Sequence, residues 1–272
     1  MATMEISDSE FERIGQIMYE SIGLSFNASK KSLIQSRLVP RIMKLGLNGF
    51  ADYIALLDDV AEASEFQMAV DLLTTNETYF FREPKHYDLL EAELAARRSK
   101  APIAIWSAAS SFGDEAYSTA MLLADMQMAG KIGAEWSILA TDISDRVLRS
   151  AQAAVYPQDR LRAVSPERLR RYCLKGEGAA EGQSMIIDKL CDRVQFGQLN
   201  LCKPIEGLGP FDVIFLRNVL IYFDIPTKAA VVDRVLETLK PGGLFFLGTA
   251  EGRVKCNTPL ISVQPGAFRK PA

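Results

Sequence analysis

Four stretches of the chain combine residue types and spacing that could do chemistry. In Ile105-Trp106-Ser107-Ala108-Ala109-Ser110-Ser111-Phe112-Gly113-Asp114-Glu115, an apolar run passes through tiny residues into a helix start. Small side chains at a strand-to-helix turn let the backbone approach a ligand, and the helix N-terminus that follows favours an anionic group. With one glycine this is not the G-x-G-x-x-G dinucleotide turn. A smaller adenosine-containing ligand with a carboxylate fits it, and so does a tight turn that serves packing alone. The second stretch, Ala140-Thr141-Asp142, ends the next apolar run in a carboxylate, where a ribose diol would be held; read alone, Asp142 equally suits a cap for a helix opening at Ser144. In the third, Asp212 to Phe223, a buried strand runs into the polar turn Arg217-Asn218, with Tyr222 beyond. Such turns face the ligand crevice of open α/β sheets, although Asn218 and Tyr222 also read as a turn residue and a packed aromatic. The fourth, Thr74 to Pro84, brackets two phenylalanines with polar residues and ends in Arg82-Glu83. Arg82 is placed either to enter a cleft or to form a surface pair with Glu83.

These stretches must work almost without imidazole. The chain has 1 histidine, His86, and 4 separated cysteines, Cys173, Cys191, Cys202 and Cys256. That composition excludes a two-His metal site, predicts reduced buried thiols, and leaves His86 as the one partner available to a Ser-His or Cys-His pair. No metal is expected.

The elements that would position these residues follow from periodicity. Residues 1–83 read as a helical unit. A capping box at Ser7-x-x-Glu10 opens a helix carrying Phe11, Ile14, Met18 and Ile22. A second helix is predicted from Ala28 to Leu45, bent or interrupted at Pro40 and stopped at Gly46. Shorter helices are expected over Phe50–Leu57 and Glu62–Leu73. Residues 84–102 form a connection, with a helix from Pro84 to about Arg98 and a linker at Ser99–Pro102. From 103 to 272, apolar runs of strand length alternate with helical segments, which predicts an α/β unit built on a parallel sheet. Its strands are Ile103–Ala108, Ser137–Thr141, Phe211–Leu216 and Leu244–Gly248, the last after a turn at Lys240-Pro241-Gly242-Gly243, with a final antiparallel pair within Leu260–Phe268. Helices are expected over Asp114–Met128, Ser144–Ala154 and about Pro226 to Leu239. Short β runs at Tyr172–Leu174, Ser184–Ile187 and Arg193–Phe196 predict a small antiparallel insertion over about 171–198.

The chain is 272 residues long, 48% apolar and 24% charged, which fits a globular protein and excludes disorder, collagen and coiled coil. It offers no apolar run of membrane-spanning length and no signal-peptide pattern at its start, so a cytoplasmic location is expected. The net charge of −3 argues against nucleic acid as a partner. Ser21 through Ala51 nevertheless carries no Asp or Glu, while Lys30, Arg37, Arg41 and Lys44 recur at spacings that put them on one helical face. This face suits an acidic partner or plain solvation.

Taken in order, Asn-x-Thr-x-Phe-Phe-Arg, Trp-Ser-Ala-Ala-Ser-Ser-x-Gly-x-Glu, Ala-Thr-Asp-Ile, Leu-Asn-Leu and Arg-Asn-Val-x-Ile-Tyr-Phe resemble the chemotaxis receptor glutamate O-methyltransferases of the CheR type over nearly the whole chain. The resemblance implies a class I S-adenosylmethionine-dependent methyltransferase sheet with a helical N-terminal domain and a small antiparallel β insertion that can dock a receptor tail. It implies S-adenosyl-L-methionine as cofactor, S-adenosyl-L-homocysteine as product, and methyl-accepting chemoreceptors as partners. By matching position, Asn76, Thr78 and Arg82 would line the methionine end and Glu115 its amino group or sugar. Ala108 belongs to the same cofactor turn, Asp142 would take the ribose, Asn200 and Leu201 would flank adenine, and Leu216 and Arg217 would close the site. Tyr222 and Arg82 would orient the substrate, and Lys30, Arg37, Arg41 and Lys44 would face the acidic receptor helix. A monomer is expected. Two departures stand out: Asp114-Glu115-Ala116 where Glu-Glu-Pro is usual, and Gly248-Thr249-Ala250-Glu251 where Gly-His-Ser-Glu is usual. The altered second loop leaves open a non-catalytic binding module, and a class I enzyme with another substrate is the further alternative.

Overall fold

Helix α1 (Asp8–Ile22) starts at the capping box read from the sequence, with Ser7 accepting from the Glu10 amide and Glu10 from the Ser7 amide. It ends at Gly23, whose φ of 73° is a left-handed stop that glycine adopts without strain. The computed structural model describes residues 4–97, 100–252 and 255–272; Arg98 and Ser99, where the predicted helix end and linker meet, lie outside them. Helix α2 (Lys31–Lys44) follows a 3-10 turn at Ala28–Lys30 and continues through Pro40 without interruption. Pro40 is exposed and so is Ser36, the residue whose carbonyl loses its amide donor, so water can satisfy that carbonyl. Helices α3 (Phe50–Asp58) and α4 (Ala63–Leu73) complete the unit. Its core gathers Ile14, Met18, Ile34, Leu38, Ile42, Tyr53 and Val70.

Helix α5 (Pro84–Ala96) leads to β1 (Ile103–Ala108), α6 (Asp114–Met128), β2 (Trp136–Asp142) and α7 (Asp145–Ala153). Next come β3 (Val155–Pro157), α8 (Pro166–Tyr172), β4 (Cys173–Lys175), β5 (Gln183–Ile186), α9 (Asp188–Cys191) and β6 (Val194–Gln198). The chain closes with β7 (Phe211–Leu216), α10 (Ile225–Glu237), β8 (Leu239–Leu247), β9 (Ile261–Gln264) and β10 (Ala267–Arg269). Among the described residues, seven strands form one sheet in the order β6-β2-β1-β7-β8-β10-β9. The first five are parallel, and β10 runs antiparallel to both of its neighbours. Alternation along the strands explains the layers. Ile105, Ile138, Val213, Phe215 and Phe246 pack with α5 and α6, whereas Trp106, Ile214, Leu216, Phe245 and Leu247 pack with α10. This is the class I methyltransferase sheet that the resemblance implied. No helix of the described residues is long and apolar enough to cross a membrane.

Two expectations need correction. The run Arg193–Phe196 does not belong to the small insertion: β6 pairs in parallel with β2 at the edge of the main sheet, while the small sheet is β3-β5-β4 and recruits Val155–Pro157 instead. Short β runs look alike in sequence, and only the pairing partner separates them. Lys240-Pro241-Gly242-Gly243 is no separate turn but part of β8, which has a register irregularity opposite Phe211 and Val213. Bulged strand ends accommodate Pro and Gly.

The helical unit also hides an ion pair. Arg41 sets its Nε 3.0 Å from Oε1 of Glu65, a residue only 4% exposed, and Tyr53 donates to the same oxygen at 2.8 Å. Arg41→Ala would leave that carboxylate buried without its cation. The expected loss is about 2–3 kcal/mol of stability, somewhat below a fully buried pair because the Arg41 side chain stays 21% exposed. Urea unfolding of the two proteins measures it, and an unchanged midpoint would show the pair to be energetically idle.

Candidate active site

The strand order reverses between β2 and β7 on either side of β1, and a cleft opens there at the carboxyl ends of the strands. The turn after β1 shapes its floor. Ala109, Ser111 and Gly113 all adopt positive φ, at 64°, 51° and 86°. A Cβ on Gly113 would crowd the Ala151 Cβ at 3.0 Å and the Tyr156 hydroxyl at 3.1 Å, on a left-handed backbone that side-chain-bearing residues rarely adopt. Asp142 fixes the strained part: its Oδ2 accepts from the Ser111 amide at 2.9 Å and its Oδ1 from the Ser144 amide at 2.9 Å. Burial pushes its carboxyl above the usual range, against the pull of these amides. The cap of α7 is the Ser144 side chain, which accepts from Val147, so Asp142 is not the helix cap. It lines the cleft.

At the end of β7, Arg217 is 6% exposed. Its guanidinium donates to Glu115 Oε2 at 2.8 Å and to the carbonyl of Arg82, and lies 3.1 Å from Glu83 Oε2. Burial works against this charge, but Glu115, Tyr87 and Glu83 outweigh it and keep the guanidinium firmly protonated. For Glu83 likewise, burial is outweighed by Arg217 and the Thr249 amide, and its carboxyl stays below the usual range. The sequence had offered Arg82 as the partner of Glu83; the partner is Arg217, because Glu83 takes a left-handed turn (φ 56°) that aims its carboxylate inward. Asn218 is also left-handed (φ 59°), and half-buried Glu251 accepts from the amides of Asn218, Leu220 and Gly248 at 2.7–2.9 Å. A Cβ at Gly248 would meet Asn218 Nδ2 at 2.4 Å and Glu251 Oε2 at 3.0 Å, so a side chain there would displace both.

The segment Thr74 to Glu83 crosses the cleft mouth. Phe80 anchors it edge-on against Tyr156 with ring centroids 5.0 Å apart, and the Phe81 amide donates to Ser118 Oγ at 2.9 Å. Arg82 is thereby turned over the cleft, donating to the Glu77 carbonyl at 3.0 Å with its guanidinium 5.7 Å from the Tyr79 ring centroid. Tyr222, in a 3-10 turn, donates to the Thr75 carbonyl at 3.3 Å. Burial first, then Glu77, raises its phenol above the usual value, so it remains a neutral donor.

Asn76, Thr78, Arg82, Glu115, Asp142, Asn200, Leu201, Arg217 and Tyr222 are thus brought together on one cleft. Ala108 and Leu216 are not: both are fully buried in their strands, and the lining positions are their neighbours Ala109 and Arg217. The basic face also needs correction. Lys30 and Lys44 are exposed, but Arg41 is held by Glu65, and Arg37 donates to the carbonyls of Leu73 and Thr74 and to Thr75 Oγ1 at 3.0–3.1 Å. Helical spacing gives the face and says nothing of what waits across it. Sequence reasoning missed Ile22 and Leu24, which carry the helical unit into the cleft wall. The available signal was Gly23, directly after the α1 pattern, where a Cβ would meet Cys202 Sγ at 2.5 Å. Asn200 secures the same contact, donating to the Ser21 carbonyl at 2.7 Å.

The donor set fits S-adenosylmethionine. Asp142 offers a carboxylate for a diol, and Ile22, Leu24, Leu199 and Leu201 an apolar wall for a flat base. Glu115 and Arg82 offer opposite charges for a zwitterionic end. Ser110, 2% exposed, adds a hydroxyl that has no hydrogen-bond partner among the described residues.

Comparison with known proteins agrees. Residues 76–265 match the CheR methyltransferase SAM binding domain, and residues 9–74 the CheR methyltransferase all-alpha domain. The chain is 40% identical over 249 residues to the chemotaxis protein methyltransferase of Klebsiella aerogenes, covering 91% of this chain and 84% of that protein. It is also 40% identical over 249 residues to that of Escherichia coli K12 (91% and 86% covered). Identity to chemotaxis protein methyltransferase 2 of Pseudomonas aeruginosa is 39% over 257 residues (93% and 90% covered).

His86 takes no part in the cleft lining. It is 1% exposed, with Nε2 3.2 Å from the Pro265 carbonyl, and burial together with the nearby Arg217 lowers its pKa below the ordinary 6.5. The unfolded chain therefore binds a proton more readily than the folded one, so this residue's stabilising contribution is complete above pH 6.5 and is lost as pH falls through the lowered value. His86→Gln should flatten the stability profile on the acid side of 6.5. Denaturant midpoints across that range check it, and an equally steep profile in the variant would assign the dependence to other groups.

Proposed function

Because the chain belongs to the CheR methyltransferase family, we propose that it methylates glutamate side-chain carboxylates on the cytoplasmic helices of chemoreceptors, giving glutamate methyl esters. The family is S-adenosylmethionine-dependent and serves chemotaxis. The observation that carries the finer reading is the neutral Tyr222 hydroxyl at the cleft mouth, beside the Thr75 carbonyl, above a floor built by Asp142 and the turn after β1.

S-adenosylmethionine, when bound, supplies a methyl group on a positively charged sulfur. Asp142 would hold its ribose, Asn200 and Leu201 would flank its adenine, and Asn76, Thr78, Arg82 and Glu115 would hold its methionine end, with Glu115 fixed by Arg217. A glutamate carboxylate, with a reference pKa near ~4.3, is already ionised at neutral pH and needs no general base. His86, packed against Pro265 and Phe246, is not called upon. The attacking carboxylate becomes a neutral ester as the sulfonium becomes a neutral thioether, so charge disappears along the reaction. A strong cation on the attacking carboxylate would stabilise the ground state more than the transition state. Tyr222 avoids that cost by orienting it through a neutral hydrogen bond. Positioning is the main contribution, worth on the order of 7–11 kcal/mol in favourable cases.

The altered loop does not favour a non-catalytic module. Thr249 donates its amide and its hydroxyl to Glu83 Oε1, both at 3.1 Å, and so supports the ion cluster around Arg217. In this reading residues 1–83 face the receptor, 84–102 connect, and 103–272 carry the cofactor. The protein acts as a monomer in the cytoplasm. The exposed lysines Lys30 and Lys44 attract acidic receptor helices, and the β3-β5-β4 sheet can take a receptor tail.

The test is incubation with labelled S-adenosylmethionine and a receptor cytoplasmic fragment, followed by assay of base-labile methyl ester. Tyr222→Phe should lower kcat about tenfold or more while the Kd for S-adenosylhomocysteine stays within twofold. A variant that methylates at the full rate would remove Tyr222 from the mechanism.

A further inference from the structure

Beside the cleft runs a second, shallower groove lined by Arg37, Asp71, Thr75, Asn76, Phe112 and Arg146, and Thr75 and Asn76 belong to both. The two meet at Thr75. Tyr222 donates to the Thr75 carbonyl at 3.3 Å, and Arg37 donates to the Thr75 hydroxyl at 3.1 Å.

The groove's charge is organised by Phe112, which fills the open position of the Ser-Ser-x-Gly turn. Two guanidiniums lie over its ring, Arg160 at 4.5 Å and Arg146 at 5.4 Å from the centroid. Arg160 is neutralised: Asp114, fully buried, takes it in a two-pronged pair at 2.7 and 2.8 Å. Arg146 is exposed and has no carboxylate within ion-pair distance among the described residues, since its neighbour Asp145 is paired with Arg149. Arg37, on the opposite wall, gives its donors to main-chain carbonyls and a hydroxyl, so its charge is positioned and not cancelled. Asp71, 7% exposed and accepting from Gln67 at 3.2 Å, offsets one of these two charges and leaves the groove cationic.

We propose that Arg146, stacked on Phe112, is a specificity-determining residue that receives a second carboxylate of the acidic acceptor helix, one turn from the glutamate being methylated. This rests on the methyl-transfer reading above. Residues at i, i+3 and i+4 on a helix are surface neighbours, with Cβ atoms about 5–6 Å apart. A glutamate presented to Tyr222 therefore brings its neighbours over the groove on the far side of Thr75. Stacking a guanidinium on an aromatic face holds it ready at little entropic cost, and a planar fork matches a carboxylate. The placement also keeps Arg146 off the reacting carboxylate.

The experiment compares the full-length protein with Arg146→Glu and Arg146→Lys, using a receptor cytoplasmic fragment as substrate and calorimetry with S-adenosylhomocysteine. Arg146→Glu should raise KM for the fragment about tenfold, leave kcat and the S-adenosylhomocysteine Kd within twofold, and flatten the fall of kcat/KM with salt. Arg146→Lys, which keeps the charge but loses the planar fork and the stacking on Phe112, should restore the salt dependence while recovering only part of the KM. Wild-type methylation with an unchanged KM and salt dependence in Arg146→Glu overturns the proposal alone. A weakened Kd for S-adenosylhomocysteine also overturns it, by assigning Arg146 to the cofactor cleft. No methyl ester from the wild-type protein sinks the methyl-transfer reading and this inference with it.

Discussion

The buried guanidinium of Arg217 is the constraint around which the cleft is assembled. Removing such a charge from water costs several kcal/mol, and it is tolerated only where counter-charges and carbonyls surround it. Glu115 comes from the first turn of α6, Glu83 and the Arg82 carbonyl from the segment crossing the cleft mouth, and Arg217 from the end of β7. Three pieces distant in sequence are thus forced to one point. The left-handed backbone at Phe81 and Glu83 is the local strain that this convergence requires. Thr249 and Ser107 complete the shell by donating to Glu83 and Glu115.

A second constraint works through absent side chains. Gly23 lets the end of α1 press on Cys202 and Thr227, which brings Ile22 and Leu24 into the cleft wall. Around that contact Asn200 donates to the Ser21 carbonyl and the Ser25 amide to the Tyr222 carbonyl. The helical unit is therefore part of the site: the turn bearing Tyr222 is hydrogen-bonded to it on one side and to Thr75 on the other. Gly248 does the same for the Asn218 turn, where Glu251 collects three amides that no strand or helix would satisfy.

Much of this was legible in the sequence because it is local. The capping box of α1, the strand-to-helix turn after β1, the carboxylate ending β2 and the polar turn after β7 depend on neighbours in the chain, and the structure has each where periodicity predicts it. What was illegible depends on partners far away. Val194–Gln198 and Gln183–Ile186 read alike, yet one joins the main sheet and the other the small one. Lys30 and Arg41 share a face by spacing, but a carboxylate 24 residues on claims Arg41 and leaves Lys30 in solvent. Proximity offers Arg82 as one partner for Glu83, but the backbone turn hands Glu83 to Arg217 instead.

The arrangement of cations around the cleft suits the carboxylate methylation proposed above, a reaction in which charge disappears. Any positive field at the attacking oxygen would deepen the ground state, so a methyltransferase of carboxylates gains from arginines that bind without projecting charge inward. Arg217 meets this requirement by being enclosed between two carboxylates, and Arg160 by its pairing with Asp114. Arg82 directs its donor to the Glu77 carbonyl and lies near the Tyr79 ring. The half-buried Arg37 spends its donors on two carbonyls and a hydroxyl, while Lys30, Lys44 and Arg146, which have no carboxylate within ion-pair distance among the described residues, are exposed. Screened by solvent there, they add to the long-range attraction of an acidic partner while contributing little to the field at Tyr222. Under the proposed reaction, attraction and chemistry are thereby separated in space, and the neutral phenol is the group left to touch the nucleophile.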